Sequence, residues 1–129
     1  MFAGNVILLH YASSPGPFIL SSVSSPNPAY PNESVLISAT VATNGSTLNS
    51  ITVDASQAAG TASGTTILTL VSSGTANPTI YTNSVTVGAS VPAGTVTNYF
   101  RAVDNASFVN LATNTLNIIS GAPVILAEA

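Results

Sequence analysis

The twelve residues from Gly94 to Asn105, GTVTNYFRAVDN, limit the fold of this chain more than any other stretch. At period two, Phe100, Ala102 and Asp104 fall on one face, and Thr97, Tyr99, Arg101 and Val103 on the other. That suits a strand in the middle of a sheet, apolar on one side and mixed on the other. Asp104-Asn105 at its end readily turns the chain. A helix could not sort these side chains into two such faces.

Other stretches follow the same rule. Ser34 to Thr43 (SVLISATVAT) alternates with Val35, Ile37, Ala39 and Val41 inward, and Asn44-Gly45 makes a tight turn after it. Leu48, Ile51 and Val53 mark a further strand, and Thr79 to Val87 another. Ala112 to Ile119 alternates with Leu116 and Ile118 inward. Ala58 to Gly64 is small and glycine-containing, as in a loop, whereas Thr65 to Val71 (TTILTLV) is near-continuously apolar, as in a strand covered on both faces. Pro26, Pro28 and Pro31 confine Ser25 to Pro31 to an edge or a connection. No segment keeps helical spacing with caps for three turns. Short strands separated by turn signals imply an all-β, two-sheet antiparallel sandwich. Its expected core is Ile37, Val41, Val53, Leu68, Leu70, Val85, Phe100, Ala102, Leu116 and Ile118.

Both ends of the chain carry an apolar, extended-looking segment. Residues 1–14 contain Val6-Ile7-Leu8-Leu9, without the basic lead-in and long apolar core of a signal peptide. Asn5 to Ala12 reads as a strand that must be buried against something, either in the domain's own sheet or in a neighbouring subunit. Ser13-Ser14-Pro15-Gly16-Pro17 reads as a hinge. The expected organisation is an N-terminal donor strand and hinge over 1–14, a sandwich over 15–120, and an extended tail over 121–129 that repeats the Val-Ile-Leu triplet.

Composition matters at the surface. Charged residues make up 4% of the chain, against about a quarter in ordinary soluble domains. Solubility must therefore come from Ser, Thr, Asn and backbone, from attached sugar, or from contact with other copies. With a net charge of −3 and Arg101 as the sole Lys or Arg, the chain has no electrostatic footprint for nucleic acid. No apolar run approaches the length of a membrane span. The absence of cysteine removes disulfides and thiolate metal sites. Three sequons, at Asn32, Asn44 and Asn105, make covalent glycans an expectation and favour an exported protein.

Two stretches carry a resemblance. Asn27 to Val41 (NPAYPNESVLISATV) resembles the proline-rich lead-in and second strand of bacterial and archaeal Ig-like surface domains, and Tyr99 to Ser107 (YFRAVDNAS) is similar to their penultimate strand and the turn after it. Asn32 stands where that pattern usually has Gly, and Ser107-Phe108 where it has Gly-Asn. The resemblance spans roughly residues 17–119 and implies an Ig-like antiparallel β-sandwich of seven or eight strands, plus the extended N-terminal strand. That N-terminal strand, with Val6, Ile7, Leu8, Leu9 and Tyr11, is similar to the donor strand of donor-strand-exchanged pili and archaeal surface threads.

Groups able to do chemistry are few. His10 is the single imidazole and lies in the apolar N-terminal stretch, without a nucleophile motif to join. Glu33, Asp54, Asp104 and Glu128 fall in different strands or loops, unlike a glycosidase carboxylate pair. Asp54, Asp104 and Asn105 could offer oxygens to calcium but form no calcium-loop pattern, and Asp104 reads as a turn cap. Arg101 is expected to pair with an acid on a neighbouring strand. Tyr11, Tyr30, Tyr81 and Tyr99 are scattered rather than clustered as a sugar platform. No enzyme activity, cofactor or metal is expected. The expected function is a structural subunit of an extracellular or cell-surface filament or pilus, a homopolymer joined by donation of the N-terminal strand into a groove between the sheets of the next copy. An adhesive or carbohydrate-binding module of a larger secreted protein, or an Ig-like virion accessory protein, are the alternatives.

Overall fold

Alternation along the chain becomes pairing between strands. The computed structural model describes residues 15–72 and 74–120. Within them run β1 (Gly16–Ser25), β2 (Ser34–Asn44), β3 (Leu48–Asp54), α1 (Ser56–Ala59), β4 (Ile67–Thr69), β5 (Thr79–Thr86), β6 (Gly94–Asp104) and β7 (Val109–Ile118). The expected donor-strand residues Val6, Ile7, Leu8, Leu9 and Tyr11, together with His10 and the tail 121–129, lie outside the described residues. Among the described residues, no helix is long and apolar enough to cross a membrane.

Two antiparallel sheets face one another, one ordered β1-β2-β5 and the other β4-β3-β6-β7. β6 is central, as its sequence predicts, with Phe100 opposite Val53 on one side and Ala112 on the other. Ile37, Val41, Val53, Leu70, Val85, Phe100, Ala102, Leu116 and Ile118 are buried between the sheets, and Leu68 is half-buried against them. Val35, Ile51 and Val87, with polar Asn98 and Asp104, complete the largest fully buried set.

The Thr65–Val71 expectation is corrected. Only Ile67–Thr69 forms a strand, and it lies at the edge of the four-stranded sheet. Ile67 is 50% exposed and Val71 63%, so the run is not covered on both faces. The segment also changes sheet at its end. The Leu70 amide donates to the Ile51 carbonyl in one sheet (2.9 Å), while Val71 and Thr82 exchange bonds of 2.9 and 2.8 Å in the other. Burial along the segment still alternates: Leu68 and Leu70 turn inward while Ile67 and Val71 stand outward, so the run is apolar on both faces although only one is covered.

The hinge is corrected as well. Gly16 and Pro17 already belong to β1, opposite Asn44 and Thr43. β1 is an edge strand, where proline is tolerated. The loop expected over Ala58–Gly64 begins inside the helical turn α1, which Gly60 ends at φ 74° in the left-handed region.

Asn32 and Ser107, where the sequence departs from the Ig-like pattern, both have φ 70°. Asn enters this region more readily than most residues, and Ser does so less readily. Ser107→Gly is therefore expected to raise stability by about 0.5–1 kcal/mol, read as a higher midpoint of denaturant unfolding. An unchanged or lower midpoint would show that the Ser107 backbone is not strained.

The two ends of the described chain lie at opposite poles. Gly16 packs beside Phe108, where an added Cβ would stand 3.3 Å from the Phe108 Cβ. Ile118 bridges Ala29 at the other end of β7. The first is termed the N-terminal pole and the second the C-terminal pole. Asn44, Asn105 and the β6–β7 turn belong to the N-terminal pole. α1, the start of β6 and the β1–β2 connection belong to the C-terminal pole.

Candidate functional site

Where β1 runs beside β7, side-chain amides stand in for a missing ladder. The Ile19 amide donates to Asn110 Oδ1 (2.9 Å), and Asn114 Nδ2 donates to the Ser22 carbonyl (3.3 Å). Asn27 Nδ2 reaches the Thr115 carbonyl (3.3 Å), and the Asn117 amide donates to Asn27 Oδ1 (2.9 Å). Ser24 Oγ donates to Asn114 Oδ1, and fully buried Asn98 donates to Ser24 Oγ (3.4 Å). These amides satisfy edge groups that would otherwise invite another strand. The seam is structural. The sequence reading missed its members, although carrying the β6 and β7 alternation further would have placed Asn98, Asn110 and Asn114 on the inner face.

The residues weighed for chemistry are spread apart. Leu48 pairs with Asp104 at one end of the β3–β6 ladder, and Asp54 with Tyr99 at the other, so Asp54 and Asp104 do not share a site. Buried Asp104 accepts the amides of Ala106 (3.0 Å) and Phe108 (2.9 Å) through Oδ1, as a turn cap does. Asp54 Oδ1 accepts the Ser56 amide (3.0 Å) ahead of α1, and Glu33 Oε1 accepts the Tyr30 amide (2.9 Å). Among the described residues, no group of three or more His, Asp or Glu could hold a metal ion.

Arg101 lies between Thr52 and Leu111 in register, with no acid directly opposite on either strand. This corrects the expected ion pair: the one acid on the neighbouring strands, Asp54, lies at the end of β3 opposite Tyr99, and its Oδ1 accepts from Ser56. Tyr99 is exposed on the outer face of the four-stranded sheet, Tyr81 packs against the core, and Tyr30 is half-buried before β2. The three form no common platform. Of the sequon asparagines, Asn32 and Asn105 are exposed and Asn44 is half-buried. The Asn105 amide group is engaged with Thr47 Oγ1 (2.6 Å).

Apolar side chains stand on both outer faces. Val23, Leu36 and Ile80 are 55%, 48% and 58% exposed on the three-stranded sheet. Leu111 is 69% and Val109 46% exposed on the four-stranded one, beside Tyr99. With so few charges between them, both faces are suited to contact with other surfaces of the same kind.

An open groove of about 550 Å³ lies at the C-terminal pole, between α1, the β5–β6 connection and the start of β6. Its walls include Ala59, Val91, Pro92 and Val96. Small residues set its shape. A Cβ on Gly88 would stand 2.3 Å from the Ala59 carbonyl oxygen, so only glycine lets the connection approach α1 this closely. The Gly88 amide donates to the Ala58 carbonyl (2.9 Å) and fixes that approach. The expected acceptor groove between the sheets is corrected: among the described residues, buried side chains from both sheets pack there as one cluster. Compared with known proteins, the chain matches no family model and no curated sequence.

Proposed function

We propose that the protein is a structural subunit of an extracellular filament, polymerising by donation of its N-terminal segment, residues 5–12, to the neighbouring subunit. The polarity of the sandwich carries this reading. Residues 1–14 join the body at the N-terminal pole, and β7 ends at the opposite one. A segment donated from one pole to a site on the next copy makes a heterologous, head-to-tail contact, and such contacts propagate into open polymers.

The surface supports the same reading. A chain with 4% charged residues and apolar side chains on both sheet faces is poorly matched to life as an isolated monomer in water. Subunit contact would cover part of that surface. A glycan would cover another part, and Asn32 is the best-placed acceptor, being exposed in a left-handed turn. The role is mechanical rather than catalytic: main-chain ladders and buried aliphatic groups hold the polymer, and no titrating group is required.

Electron microscopy of the native material, with intact mass measured on the same sample, tests this. Unbranched filaments and a mass above that of the bare polypeptide are expected. Discrete monomers in fresh native material would end the filament reading, and a mass equal to the polypeptide would end the glycan one.

A further inference from the structure

We infer that the groove at the C-terminal pole is the acceptor for the N-terminal segment of a second copy, which adds there as a short strand beside the start of β6. This inference rests on the proposed strand donation and supplies its missing partner site. Its first support is main-chain geometry. The Asn117 carbonyl accepts from the Ala29 amide and the Thr115 carbonyl from Asn27 Nδ2, so these groups of β7 point away from β6. Their register partners Thr95 and Thr97 must then point their own main-chain groups away from β7.

On that side β3 would be the neighbour, but β3 ends at Asp54, opposite Tyr99. The Thr97 amide is taken up by Gln57 Oε1 (2.9 Å). Thr95 lines the groove, and its amide and carbonyl lie on the side away from β7, beyond the end of β3; the Thr97 carbonyl points to that same side of β6. They can pair with an added strand.

The occupant is identified by chemistry and by reach. Val6-Ile7-Leu8-Leu9 is an apolar run without polar alternation, which needs cover on both faces. The groove offers Val96 on its β6 wall and Ala59, Val91 and Pro92 on the other. Val6 to Leu9 stand six to nine residues ahead of Pro15, roughly 20–30 Å at about 3.3 Å per residue, so they can cross the junction into the groove of a copy whose C-terminal pole abuts the N-terminal pole. Repetition of that contact gives a one-subunit-wide thread.

The test uses the absence of cysteine from the full-length chain. Single cysteines are introduced at Val6, Ile7, Leu8 or Leu9, each combined with Thr95→Cys, and the assembled protein is oxidised. Adjacent strands bring Cα atoms within disulfide range. A ladder of covalent dimers, trimers and longer species is expected from at least one pairing. The same scan against Thr113→Cys, on the outward edge of β7, is expected to leave monomers.

A ladder with Thr113→Cys alone would overturn the groove and leave strand donation standing. An internal disulfide without a ladder would overturn both. No link to either position in a sample that still forms filaments would overturn the groove and show that the filament is held by other contacts.

Discussion

Phe100→Ala is expected to lower the stability of the sandwich by about 3–5 kcal/mol, since it removes the largest side chain of a closed core. Phe100 is 1% exposed, on the central strand, with Val53 and Ala112 opposite it. Neighbours on two strands cannot both collapse into the space left, so the cavity cost adds to the lost burial. For a domain of this size the change corresponds to a fall in Tm of roughly 12–40 °C. Tyr99→Ala, one residue away on the outer face and 48% exposed, is expected to cost less than about 1 kcal/mol. Thermal unfolding of the two variants side by side reads this directly. Equal losses would mean that β6 does not present these two faces to core and solvent.

The contrast between Phe100 and Tyr99 also marks what could be read from the residues alone. β2, β6 and β7 were legible because each has one face in the core and one in water, and that difference writes a period of two into the sequence. The segment 65–71 was not. Its outward face carries Ile67 and Val71 and its inward face Leu68 and Leu70, so hydropathy does not show which face is covered. The polar seam was missed for another reason: Asn98, Asn110 and Asn114 point inward, where a reading based on hydropathy expects aliphatic residues. Their partners, Ser24 and the main chain of β1, are some 74 to 92 residues away in sequence.

The candidate groove was not legible in the sequence. Few charges and a single His10 pointed away from catalysis and towards contact, but no local motif marks the groove at the C-terminal pole. Its walls come from Ala59, Gly88, Val91 and Val96, brought together by the β5–β6 connection folding onto α1. Small residues in a loop carry no periodic signal. The apolar N-terminal run, by contrast, stands out in the sequence because nothing near it explains it.

The second large effect concerns that run. Leu8→Asp is expected to abolish assembly while leaving the sandwich intact, because the described residues from Ile19 to Ile118 by themselves pack as one buried cluster between the two sheets. Lost burial of one leucine removes about 1.5–3 kcal/mol, which is roughly a 10- to 150-fold loss in affinity. A carboxylate carried into an apolar groove with no cation in its walls adds a further desolvation cost. Sedimentation velocity of the full-length protein and of Leu8→Asp, at matched concentration and with thermal unfolding measured in parallel, is the most direct test of strand donation. Polymers are expected from the native sequence, and a single monomeric boundary from Leu8→Asp with the Tm of the monomer unchanged. Polymers of undiminished length from Leu8→Asp, or a monomer Tm that falls with the substitution, would contradict the account.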